Sequence, residues 1–167
     1  LSAATQDPEA ALALQTWRDE TGRLLSRLFP GLHAVLAILS GWLNGALLRR
    51  VQRPEEGPSW SQWRAPEAWI WALIGSGLLG FLGAGPLGTV ALNVFVAVLA
   101  VYFLQGLAVT HNLFNARGLP RPLQAVAYAL LFVQLPVMLL VAGVGAFDLW
   151  LDFRTRWARP PEQGSHT

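Results

Sequence analysis

The residues best placed for acid–base chemistry are two carboxylates near the C-terminus, Asp148 and Asp152. A spacing of four puts both on one face of a helix, provided that the helix continues past Gly145. The same spacing lets Asp152 reach Arg156, so the pair reads first as an interfacial anchor. In that reading Trp150 and Trp157 sit among lipid headgroups, with the acids neutralised by arginines such as Arg154. Trp60 and Trp63 anchor another stretch in the same way. A second group of polar residues lies inside apolar runs: His33, Ser40, Asn44, Ser76, Asn93, Gln105 and Gln134. Hydrocarbon offers such groups no partner. Each amide therefore serves either as an interhelical hydrogen bond, worth ~0.6 kcal/mol, or as a contact to a bound molecule. Asn93, Gln105 and Gln134 are the candidate ligand contacts. If they are, substituting each by leucine removes any ligand-dependent thermal stabilisation.

Other chemistries find no residues to run on. The chain has no cysteine, which excludes thiolate catalysis, disulfides and cysteine-ligated metal. His33 and His111 stand without the spacing of a metal site. Neither a GxxxxGK phosphate loop nor a GxSxG nucleophile elbow occurs. No ionisable residue falls in the middle of an apolar run, which argues against a proton relay. The expectation is a protein that is not an enzyme and carries no cofactor and no metal.

The elements that must position these residues follow from composition. Of 167 residues 53% are hydrophobic and 13% charged, against roughly 25% charged in soluble domains. All twelve basic residues are arginine, and the net charge is +2. The arginines are scattered through loops and read as topology determinants and lipid-headgroup contacts, so no nucleic-acid partner is expected. From Ala68 to Ala116, 49 residues pass without an Asp, Glu, Lys or Arg. As one straight helix they would measure roughly 73 Å, more than twice a hydrocarbon core of ~30 Å. The run must fold back, and the Gly83-Ala84-Gly85-Pro86-Leu87-Gly88 cluster supplies the turn.

The expected architecture is all-α: an integral membrane bundle of four transmembrane helices with an N-terminal amphipathic or connecting helix. Residues 1–29 hold a polar start and that helix, over 9–28, opened by Asp7-Pro8-Glu9. Residues 30–147 form the membrane domain, with spans at about 30–48, 67–83, 87–109 and 122–144. Pro136 kinks the last span. Residues 148–167 are an interfacial segment and loose tail. Gly41 and Gly45 make a GxxxG in the first span, and Gly75, Gly77 and Gly80 give the second a smooth face; all five read as helix-packing positions. Positive-inside counting gives six arginines on each side, leaving orientation open. Residues 1–27 lack the basic-then-apolar order of a secretory leader, and a piece of a longer protein is the simplest reading.

Three segments carry a family resemblance. Asn93, Val101-Tyr102-Phe103-Leu104-Gln105-Gly106-Leu107-Ala108-Val109 and Gly145-Ala146-Phe147-Asp148-Leu149-Trp150-Leu151-Asp152-Phe153-Arg154, with Trp63-Arg64-Ala65-Pro66-Glu67, resemble the C-terminal part of the YybS-like family. Its members are uncharacterised bacterial multi-span membrane proteins. The resemblance implies the bacterial inner membrane and, because that family has been likened to substrate-binding subunits of energy-coupling-factor vitamin transporters, binding or transport of a small molecule. The implied partners are the lipid bilayer, a small-molecule ligand and other membrane subunits. The competing expectation is a membrane scaffold or regulator that holds partner proteins without transport.

Overall fold

The computed structural model describes residues 8–51 and 63–154, and side chains at 49–51 are outside that description. Trp60, Arg156 and Trp157 lie outside the described residues, as do 1–7 of the polar start and 155–167 of the segment and loose tail expected at 148–167. Among the described residues the regular structure is helical: α1 Pro8–Val51, α2 Ala68–Leu82, α3 Gly85–Ala116, α4 Arg121–Val133 and α5 Leu135–Leu151. α1 over Pro8–Leu48 and α3 are each long and apolar enough to cross a membrane, and a bent α4–α5 pair raises the count of candidate spans from two to three.

The amphipathic helix expected at 9–28 and the span expected at 30–48 are one continuous helix of 44 residues, with Pro30 inside it. Proline removes an N–H from the ladder and its ring crowds the preceding turn, which ordinarily breaks a helix. Here α3 repairs the damage. The Gly31 N–H donates to Asn93 Oδ1 at 2.5 Å, and Asn93 Nδ2 donates to Arg27 O at 2.8 Å. Those two backbone groups are the pair that a bond between residues four apart would join, so the amide stands in as a peptide unit at the weakened turn. Gly31 leaves the space: a Cβ there would lie 2.7 Å from Asn93 Oδ1. α1 then runs parallel to α3, with Ile38 packed against the cluster that includes Val101 and Tyr102.

The hairpin between α2 and α3 forms at the expected turn. Gly83 caps α2 in an extended conformation, Gly85 takes a left-handed φ of 71°, and Pro86 occupies the first turn of α3. α2 is only 15 residues long. It returns antiparallel to α3 with Gly77 against the Phe95 ring and Gly80 against Leu92, where a Cβ would be 3.0 Å from the backbone nitrogen. Gly75 has nothing within 4 Å of a Cβ, and the same holds for Gly41 and Gly45.

The span expected at 122–144 is not one helix. α4 and α5 meet at 107°, and the break falls at Gln134, whose φ of −113° and ψ of 109° are extended. Pro136 cannot donate to the turn before it, so a new helix starts with Val137 N and Met138 N donating to Gln134 O. α5 packs antiparallel along α3. Gly106 abuts Val141 and Gly145 abuts Tyr102 so closely that a methyl group on either glycine would overlap a backbone oxygen. Leu149 follows against the cluster that holds Val98.

Candidate functional site

α2 and α5 lie along different parts of the same helix. α5 descends α3 from Gly106 to Tyr102 and ends beside the Val98 level, whereas α2 starts near Val101 and continues past Phe95 to Leu92. The C-terminal end of one short helix and the N-terminal end of another therefore meet against the middle of α3. At 32 residues, α3 is ~48 Å long. A hydrocarbon layer of ~30 Å laid anywhere along it includes its midpoint, near residue 100. The meeting point is at the middle of a helix long and apolar enough to cross a membrane.

Charges gather there. Asp148, one turn before the end of α5, is completely buried, and its Oδ2 faces Arg154 Nε at 3.1 Å. The chain reaches back because Asp152 adopts a left-handed conformation, φ 45°, which ends α5 and turns Arg154 towards Asp148. The partner of Asp152 is Arg64, in the non-helical approach to α2. The acids are paired with arginines, as expected of the anchor, but Asp148 is enclosed by protein and Asp152 pairs with Arg64. Trp150, by contrast, is exposed and stacks at an angle on Phe147.

The approach segment, residues 63–67, is non-helical backbone whose buried groups need partners from the rest of the protein. Gln105 supplies one: the Ala65 N–H donates to Gln105 Oε1 at 2.9 Å, and Ala65 is buried. Gln105 Nε2, Tyr102 OH and Asp148 Oδ1 are among the buried polar atoms that have no hydrogen-bond partner among the described residues. Tyr102, Gln105 and Asp148 are each 0% exposed. An unmet buried polar group costs about 1–3 kcal/mol, so three in one place call for a further partner. The four charges sum to zero. What is left over is two hydrogen-bond donors and an acceptor.

The three candidate amides do not converge. Asn93 lies ~18 Å from Gln105 along α3. Its Oδ1 is taken by Gly31 N and its Nδ2 by Arg27 O and Thr89 O. Gln134 is exposed at the α4–α5 break. Only Gln105 joins the cluster, together with Asp148, Asp152 and Arg154. Tyr102 and Arg64 are additional members that residue type alone did not single out. The available signal for Arg64 was its place just before the long uncharged run.

Next to the cluster, a cavity of about 560 Å³ opens between α1 and α3. Gly41, Trp42 and Gly45 of α1 line it, with Trp63, Trp69 of α2 and Leu104 of α3. Trp63 is thus a cavity wall. Among the described residues no three His, Cys, Asp or Glu side chains come together as a metal site would need.

Over residues 2–149 the chain matches the family described as "Predicted membrane protein (DUF2232)". No curated protein and no solved structure matches it. An apolar helical chain with two to three candidate membrane spans agrees with that description, and the chain belongs to the DUF2232 family of predicted membrane proteins.

Proposed function

We propose that this membrane protein binds a small polar molecule at the junction of α2 and α5 without transforming it chemically. The observation that carries the reading is that Gln105 Nε2, Tyr102 OH and Asp148 Oδ1, along the α3–α5 contact, are all buried and unpartnered among the described residues. Short helices that end at mid-depth, with opposite dipole ends facing a common point, are a recurrent way to build a polar site inside a bilayer. In this reading four segments enter the membrane: α1, α2, α3 and the α4–α5 pair, the last two short helices reaching only part-way. The YybS-like resemblance adds the bacterial inner membrane as the location, and its likeness to vitamin-uptake subunits adds transport as the purpose of binding.

The test is to purify the protein in mild detergent and identify bound metabolites by mass spectrometry. The metabolite found should raise the unfolding temperature of the wild type and not that of Gln105→Leu. Equal stabilisation of both would sink the reading.

A scaffold role is favoured by a different observation. α1 extends well past the start of α3, and Leu12, Leu14 and Trp17 on that projection are more than 60% exposed. It predicts a protein partner that co-purifies with the wild type and is lost when these three become serine, with no small molecule bound.

A further inference from the structure

The cavity between α1 and α3 shares two walls with the polar junction. On α3, Val101 and Leu104 line the cavity, whereas Tyr102 and Gln105, each one residue further on, carry unpartnered polar atoms. In the approach to α2, Trp63 and Pro66 line it, while Arg64 and Ala65 between them hold the ion pair and the bond to Gln105. The volume, about 560 Å³, falls among those of small-molecule pockets, roughly 300–1,000 Å³.

Among the described residues no charged side chain lines the cavity. Trp42, Trp63 and Trp69 supply three indole walls, and indoles favour offset or edge-on contact with another ring. Gly41 and Gly45, one turn apart on α1, form a flat floor with nothing within 4 Å of a Cβ position. Any larger residue there would fill the space. Because Val101 lies at the middle of α3, the cavity is at hydrocarbon depth, and its occupant arrives from the lipid. The neighbouring charges already balance, so the polar end of that occupant is uncharged.

We propose that this cavity holds a neutral, planar, lipid-soluble ring molecule whose hydrogen-bonding end is turned towards Gln105. The ring follows from the cavity alone; the orientation of its polar end rests on the polar-junction reading above.

The test uses the full chain in phosphatidylcholine nanodiscs, with equilibrium dialysis against protein-free nanodiscs to subtract partitioning. The probes are 2-methyl-1,4-naphthoquinone, 2-methylnaphthalene and tetradecanol. Both ring compounds should bind saturably, the quinone about three- to tenfold tighter through its carbonyl, and tetradecanol at least about tenfold weaker than either. Gly45→Leu should weaken both ring compounds more than about tenfold. Gln105→Leu should erase only the quinone's advantage. Should Gly45→Leu not assemble, Trp69→Ala must show the same joint loss. Unchanged ring binding in the cavity variant, or tetradecanol binding as tightly as the rings, overturns the proposal. A quinone advantage that survives Gln105→Leu overturns its orientation and the polar-junction reading, and leaves ring binding to be judged by the cavity variants alone.

Discussion

Two amides on one helix, Asn93 and Gln105, mark two unlike regions of α3. Around Asn93 the helix serves assembly. Both ends of that side chain are spent, on Gly31 N, Arg27 O and Thr89 O, and the neighbours from α2 are Gly77 and Gly80. Around Gln105 the helix is buried almost continuously from Ala100 to Val109, and the amide is only half spent. The first region holds three helices together, with the Asn93 amide fully bonded. The second gathers four charges and three unanswered polar atoms where two short helices end. A saturated amide is glue, and a half-saturated one is where the proposed binding is to be tested.

The sharpest way to break this contrast is at Asp148 and Arg154. Removing one partner of a buried ion pair leaves an uncompensated charge and costs about 3–5 kcal/mol, whereas removing both often costs little. Asp148→Leu and Arg154→Leu should each lower unfolding stability by about that amount, measured by denaturant titration in mixed micelles. The double variant should recover most of it. A double variant as unstable as either single one would show that the pair does not act as a pair.

Next in size is the contact that brings α5 down onto the polar region. At Gly106 a methyl group would overlap Val141 O, and at Gly145 it would overlap Tyr102 O. Gly106→Ala should cost about 1–3 kcal/mol by forcing the helices apart. The damage should fall on the α5 side, so amide exchange should rise in α5 and stay unchanged where α1 meets Asn93. Uniform loosening would mean that the two regions are not separable.

The sequence shows some of this arrangement and hides the rest for identifiable reasons. The uncharged run and its Gly/Pro cluster were enough to place the α2–α3 hairpin, because charge and turn chemistry are local. Continuity of α1 through Pro30 was not readable, since the group that repairs the turn is Asn93, 62 residues away from Gly31. The depth of Asp148 was hidden too. Taken locally, Phe147–Arg154 has the aromatic and charged mixture of a membrane surface. What carries it inward is the break at Gln134, which leaves α5 only 17 residues and lets it start partway along α3. The identity of the polar partners was likewise a tertiary fact: Asp152 pairs with Arg64, 88 residues earlier.

Leucine substitutions at the two amides compare the regions directly. Asn93→Leu removes the bridge across the Pro30 turn and should cost about 1–3 kcal/mol, leaving any ligand-dependent rise in unfolding temperature intact. Gln105→Leu orphans one N–H, at Ala65, and should cost about 1 kcal/mol while abolishing that rise. Gln134→Leu, at an exposed bend, should leave the rise unchanged. If Asn93→Leu also abolishes it, binding and assembly are one function of α3, and the contrast fails.

The smallest effect is expected at Arg64. Its ion pair with Asp152 has side chains 40% and 42% exposed; where that open side meets water, the attraction is screened and the pair contributes about 0–1 kcal/mol. Arg64→Ala should therefore barely move stability. It does remove one of the two cations beside the Asp148–Asp152 carboxylates and leaves that group with an excess negative charge. A ligand with an uncharged polar end should lose little affinity, while an anionic ligand should lose about tenfold or more at low salt. Measuring the affinity of the co-purifying molecule for Arg64→Ala at low and at high ionic strength thus reads the charge of the ligand from a variant whose fold is intact.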